Sequence, residues 1–182
     1  MTDTRGGTQP APYALGHSDH ELRRLEIQAR YLAPLTRRFF EGAGLAPGMH
    51  VLDVGSGMGD VAFLAAEMVG PSGSVVGTDA ASAAVAGATE RAKRHSVRNV
   101  TFREGDPAKL EFDRPFDAVV GRYVLMFQPD ATPMLRGLVE RLKPGGIVVF
   151  HELDWGGVRS HPPAPLFEQC CQWLVQALQH TS

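Results

Sequence analysis

Cysteine is nearly absent: the 182-residue chain holds two, Cys170 and Cys171, side by side. Neighbouring cysteines on a helix cannot bridge without strain, and theirs is not a metal-ligand spacing, so neither a disulfide framework nor a structural zinc supports this fold. No run approaches the ~18 apolar residues of a membrane span. The first twelve residues lack the basic start and apolar run of a secretory leader. Together these scarcities lead us to expect a cytoplasmic protein. Charge of either sign is not in excess: 18 Lys and Arg stand against 20 Asp and Glu, for a formal net charge of −2. No nucleic-acid partner is therefore expected from bulk attraction. The one basic cluster, Arg91, Lys93, Arg94 and His95, ends a predicted helix, where the helix dipole favours cations, and is expected to be a solvated terminus.

What is present is the composition of an ordinary globule, 43% hydrophobic and 21% charged, and a length suited to one domain with its own core. Residues 1–12, rich in Thr, Gly and Pro, are expected to be a disordered tail, and residues 13–44 a helical lid in front of a main domain at 45–182. In the lid, Ser18 or Asp19 caps a helix in which Leu22, Leu25, Ala29, Leu32 and Phe39 recur at helical spacing, and Pro34 is expected to divide it. From residue 50 onward strands and helices alternate. Strands are expected at 50–54, 74–79, 99–104, 116–121 and 147–152, with helices at 60–68, 80–95, near 132–142 and after Pro165. The helix near 132–142 would turn Leu135, Leu138, Val139 and Leu142 to the core. The last would turn in Leu166, Cys170, Trp173, Leu174 and Ala177. Alternation with apolar strands implies an α/β fold, a doubly wound, mostly parallel Rossmann-like sheet of about five strands with helices on both faces. Such sheets bind ligands at the carboxyl ends of their strands.

Four signals fall at those ends. Gly55, Ser56, Gly57 and Gly59 form a glycine turn between the first strand and a helix, where backbone N–H groups approach a ligand closely. Asp79 ends the second strand, placed to accept from a ribose diol or to cap the helix beginning at Ala80. Asp106, with Pro107 beside it, follows the third and can accept from an adenine amine. Gly121 and Arg122 follow the fourth. The turn also fits the relaxed dinucleotide pattern G-x-G-x-x-A, so glycines alone leave NAD and S-adenosylmethionine both open. Asp53, two residues before the first glycine, is unusual for a dinucleotide fold and can organise the loop or accept from the ammonium of an amino-acid ligand. Asp79 disfavours a 2′-phosphate.

With these residues together, the chain resembles the class I S-adenosylmethionine-dependent methyltransferases, in particular bacterial small-molecule members. The matching stretches are 51–60, 75–79, 104–106, 116–128 and 142–146. The resemblance implies S-adenosylmethionine as cofactor, with its methionine part on Asp53, Gly55, Ser56, Gly57 and Gly59. It also implies ribose on Asp79, adenine on Asp106 and Pro107, and the sulfonium beside Gly121, Arg122 and Tyr123. Tyr13 and Gln28 become candidate contacts from the lid.

The implied reaction is in-line methyl transfer to a small organic acceptor, the acceptor itself unidentified. The alternatives are a catalytically impaired S-adenosylmethionine-binding module and an NAD-dependent oxidoreductase. No catalytic base is assigned; His17, His20, His151, Glu152 and Asp154 are candidates. The sequence after the fourth strand, Gly121-Arg122-Tyr123-Val124, is not the Asn-Pro-Pro-Tyr-like grip of base-methylating enzymes. No Pro-Cys pair and no magnesium-type carboxylate cluster occur. The family sheet ordinarily has two more strands than this chain provides. That leaves Ile147, Val148, Val149 and Phe150 as an apolar sheet edge, read either as part of a longer enzyme or as covered by a second copy in a homodimer.

Overall fold

A computed structural model describes residues 19–128 and 130–180. Its centre is a sheet of five strands: β1 (His50–Val54), β2 (Ser74–Asp79), β3 (Val100–Glu104), β4 (Phe116–Arg122) and β5 (Leu142–His151). The spatial order is β3-β2-β1-β4-β5 and every pairing is parallel. The chain therefore winds outward from β1 to β3, then returns to β1's other side for β4 and β5. The two directions part beside β1, the position where an open parallel sheet leaves a crevice above its carboxyl ends.

Helices α1 (Asp19–Ala43), α2 (Asp60–Val69), α3 (Ser82–Arg94), α4 (Thr132–Val139) and α5 (Pro165–His180) surround the sheet. Alternation along β1 divides the core into two layers. Val51 packs with Phe40 of α1, the α2 residues Val61, Ala62, Ala65 and Val69, and Ala92 of α3. Leu52 and Val54 face the other way, against Phe116, Val119 and Leu138 of α4. All of β1 is buried, Asp53 included.

Several elements depart from the sequence expectations. Helix α1 runs unbroken through Pro34. An interior proline costs about 3 kcal/mol, but Ala29 before it and Thr36 and Phe40 after it are all buried, so packing on both sides outweighs the local defect. The buried face of α1 is thus 29–36–40. Phe39 is 43% exposed, and Leu22 and Leu25 lie outside the described side chains.

Strand β5 starts at Leu142, which was expected to close a helix. Leu142 pairs with Phe116, residues 143–146 bulge outward with Gly145 at φ 78°, and pairing resumes at Ala118 with Ile147. Helix α4 accordingly ends at Val139, itself 56% exposed. In α5 the inward residue is Cys171, not Cys170. Leu166, Trp173 and Leu174 are exposed, and both thiols are free. As expected, β5 is an edge strand. No helix among the described residues is long and apolar enough to cross a membrane.

Candidate functional site

The turn after β1 is built from left-handed glycines. Gly55, Gly57 and Gly59 have φ of 63°, 52° and 89°, a region costly for residues with a Cβ. The Ser56 N–H donates to the Thr78 carbonyl (2.9 Å) and the Gly59 N–H to the Ser56 carbonyl (2.8 Å), so the turn folds down over β2. That close approach requires Gly77: a Cβ there would lie 2.6 Å from Phe102 Cδ1 and 3.0 Å from Ser56 Cβ. Gly57 faces open space, with nothing within 4 Å of where a Cβ would sit.

Asp79 joins the turn to the next element. Its Oδ2 accepts the Gly57 N–H at 2.8 Å and its Oδ1 accepts the Ala81 N–H at 2.9 Å, at the start of α3. The helix cap weighed for this residue does not form: α3 begins at Ser82 with Ala81 as its N-cap and no side-chain capping bond, and Asp79 holds the Ala81 amide just before the helix. A carboxylate offers about four acceptor positions, so two protein bonds leave capacity for ligand hydroxyls.

Asp53 is 0% exposed, and among the described residues neither carboxylate oxygen has a hydrogen-bond partner. Burial raises its pKa well above the ordinary 3.8. Asp79 and Asp60 add to the rise, while the Arg122 cation and the Ala62 N–H oppose it. The Ser56 hydroxyl is likewise buried without a partner among the described residues. Buried polar atoms in such numbers at one turn need an explanation. A ligand bearing an ammonium and further polar groups supplies one, so the residues present fit the implied cofactor.

Arg91 was expected to be solvated; instead its side chain is 18% exposed. Nη2 pairs with Asp60 Oδ1 at 2.9 Å, Nη1 donates to the Met58 carbonyl, and the guanidinium lies 5.2 Å from the Phe63 ring centroid. It clamps the far end of the glycine turn to α3. Lys93, Arg94 and His95 are exposed, as expected. Helical spacing could have separated Arg91 from them, since it falls one turn after the buried Ala88.

Asp106 lies past β3 at the same edge. Its Oδ1 accepts the Ala108 N–H (2.9 Å) and its Oδ2 pairs with Lys109 (3.1 Å), while Pro107 is buried. Beyond β4, Tyr123 adopts φ 59°, a strained conformation for a bulky residue. Burial raises its phenol pKa, with Glu152 in support and Arg122 opposing. Glu152, a candidate base, is engaged by backbone donors. Its carboxylate accepts the N–H groups of Val124 (2.9 Å), Leu125 (3.2 Å) and Met126 (3.2 Å), capping the 3-10 turn Leu125–Phe127. Asp154 similarly accepts from Gly157. His151, at the end of β5, is 5% exposed. Its pKa is lowered by burial and by Arg122, against a smaller rise from Glu152.

Thr36 of α1, which the sequence did not mark, reaches both Arg122 (3.3 Å) and His151 Nδ1 (3.0 Å). Tyr13 and His17 lie outside the described residues, as does the His20 side chain. Gln28 is half-buried on α1.

A parallel sheet with a glycine turn after β1, and acids near the end of β1, at the end of β2 and after β3, defines an α/β protein of the Rossmann-like class. Residues 45–180 match the methyltransferase domain family, and the chain belongs to it. A demethylmenaquinone methyltransferase from Lactococcus lactis is 36% identical over 67% of this chain and 46% of its own length. An arsenite methyltransferase from Aquipseudomonas alcaligenes is 38% identical over 70% and 38%. The chain thus spans under half the length of these relatives. A solved structure, a SAM dependent methyltransferase from Aquifex aeolicus, shares the fold with a TM-score of 0.66 at 21% identity, covering 91% of this chain and 87% of that one.

Proposed function

We propose that this chain binds S-adenosylmethionine in the crevice above β1, β2 and β4 and transfers its methyl group to a small organic acceptor. The observation that carries this reading is Asp53, whose two buried oxygens have no hydrogen-bond partner among the described residues at the base of the glycine turn. An unpartnered buried carboxyl costs several kcal/mol or stays protonated, and an ammonium resolves it. Arg122, whose cation acts on Asp53, provides the opposite charge. Together they complement a zwitterionic amino-acid end. Gly55, Ser56, Gly57 and Gly59 would hold the same part of the ligand, Asp79 the ribose hydroxyls, and Asp106 with Pro107 the adenine. Family membership favours this over the dinucleotide reading.

When bound, the cofactor supplies an electrophilic methyl group on a sulfonium centre. The protein's residues align the acceptor and exclude water, a contribution of about 7–11 kcal/mol when the geometry is good. Helix α1, contributing Thr36, lies over the end of β5 and is placed to close the crevice on that side. Quinone and arsenite acceptors in the relatives' names support a small molecule here. Calorimetry with S-adenosylmethionine, S-adenosylhomocysteine and NAD tests the reading, followed by methyl transfer to a panel of quinols, phenols and trivalent arsenicals. Binding of the two adenosyl ligands and not of NAD is expected; the reverse would overturn it.

A further inference from the structure

At the carboxyl end of β5 a polar network ties Arg122 to two buried residues, Thr36 and His151, that the proposed cofactor contacts leave unused. Thr36 is 0% exposed and His151 5%. The Thr36 hydroxyl meets three groups: the Leu32 carbonyl at 3.0 Å, His151 Nδ1 at 3.0 Å and Arg122 Nη1 at 3.3 Å. A hydroxyl has one proton to give and two lone pairs to receive with, a carbonyl only accepts, and a guanidinium only donates. All three contacts are satisfied at once in a single way. Thr36 donates to Leu32 and accepts from both Arg122 and His151. His151 must then carry its proton on Nδ1.

From this network we infer that His151 is held as the Nδ1–H tautomer so that Nε2 presents its lone pair as proton acceptor for the methyl-accepting group. The inference rests on the methyltransferase reading. The ring is fixed from two sides, edge-to-face with Phe39 at 4.9 Å and with Tyr123 at 5.6 Å. His151 pairs in register with Arg122, at the edge of the sheet that carries the glycine turn. Nε2 makes no hydrogen bond with a described residue. Among the described residues, the charged groups acting on the ring are Arg122 from β4 and Glu152 next in the chain; α1 faces it with Thr36 and Phe39. Burial and Arg122 keep the imidazole neutral at pH 7, the state a base requires. Glu152, bonded to three amides, does not compete.

In the step this serves, the acceptor's O–H, N–H or S–H bond breaks. Its proton goes to Nε2, its electron pair forms the bond to the methyl carbon, and the carbon–sulfur pair remains on sulfur as a thioether. Charge is conserved: a sulfonium is consumed and an imidazolium formed, which releases its proton to water.

Long-range proton–nitrogen NMR of the labelled full chain tests the assignment, with His151→Asn identifying the signals. The expected spectrum has a protonated Nδ1 and a pyridine-like Nε2, titrating below the ordinary imidazole value of 6.5. Thr36→Val should mix or invert the tautomers and Thr36→Ser should restore them. S-adenosylhomocysteine affinity of His151→Asn should stay within about twofold of wild type. A protonated Nε2, or an imidazolium at pH 7, in wild-type protein that binds S-adenosylhomocysteine overturns this inference alone. Wild-type protein that binds no S-adenosylhomocysteine overturns the function reading and, with it, the role given to Nε2.

Discussion

Asp79 bridges the Gly57 and Ala81 amides, at 2.8 and 2.9 Å, and so fixes the glycine turn relative to α3 before any ligand arrives. Removing it therefore acts on the fold as well as on binding. Asp79→Ala removes the acceptors of two hydrogen bonds, each worth about 1.5–3 kcal/mol when one partner is ionised. A loss near the lower bound is expected in urea denaturation of the free protein. S-adenosylhomocysteine affinity should fall by a further tenfold or more in calorimetry. An affinity loss fully accounted for by the stability loss would leave Asp79 a turn-holding residue only.

Asp53 makes folding sensitive to pH in an unusual direction. Its folded-state pKa is raised, so the folded chain holds this proton where the unfolded chain releases it. The stability it contributes is fully present below the ordinary value of 3.8 and is lost as pH rises toward its folded pKa. Asp53→Asn, which cannot ionise, should therefore lose less stability than wild type over that rise, as read by denaturation at a series of pH values. Ligand binding should show the mirror image. An ammonium favours the ionised carboxylate, so wild-type binding releases protons and Asp53→Asn binding does not. Calorimetry in two buffers of different ionisation enthalpy separates them, and equal proton release in both proteins would contradict the ammonium role.

Arg91 and Asp60 form a pair with less than a quarter of either side chain exposed, and Arg91 also reaches Met58. A double-mutant cycle with Arg91→Ala and Asp60→Ala should give a coupling energy of about 1 kcal/mol, within the range for contacting residues. Arg91→Lys should recover little, because an ammonium cannot span both partners. Additive single effects would show that the clamp contributes nothing.

The strands were readable because most carry a short apolar or β-branched run bounded by glycine, proline or an acid; the site acids were readable because the sheet rule assigns function to strand ends. Misplaced features were those decided by packing. Leu142 lies one helical turn after Leu138 and fits a helix locally, yet Phe116 pairs with it across the sheet. Phe39 and Phe40 are equivalent by composition, and only the angle of α1 on β5 decides that Phe40 is buried. Thr36 carries no sequence signal at all. Its role comes from three groups, on α1, β4 and β5, converging on one hydroxyl.

Glu152 shows how a candidate base becomes a scaffold. Its two oxygens hold the amides of Val124, Leu125 and Met126, the start of a 3-10 turn that would otherwise leave these donors without acceptors. The turn follows Tyr123, whose left-handed backbone must be held by its surroundings. Val124 also covers Gly55, where an added Cβ would lie 2.7 Å from Val124 Cγ2, so movement of this turn changes the wall of the crevice. Glu152→Gln keeps the shape but loses the charge and one acceptor, and should cost about 1.5–3 kcal/mol, the scale of hydrogen bonds to a charged group. Amide hydrogen exchange should accelerate at Val124, Leu125 and Met126 well before it does in β4. Unchanged protection at these three amides would show that the turn is held by its apolar contacts instead.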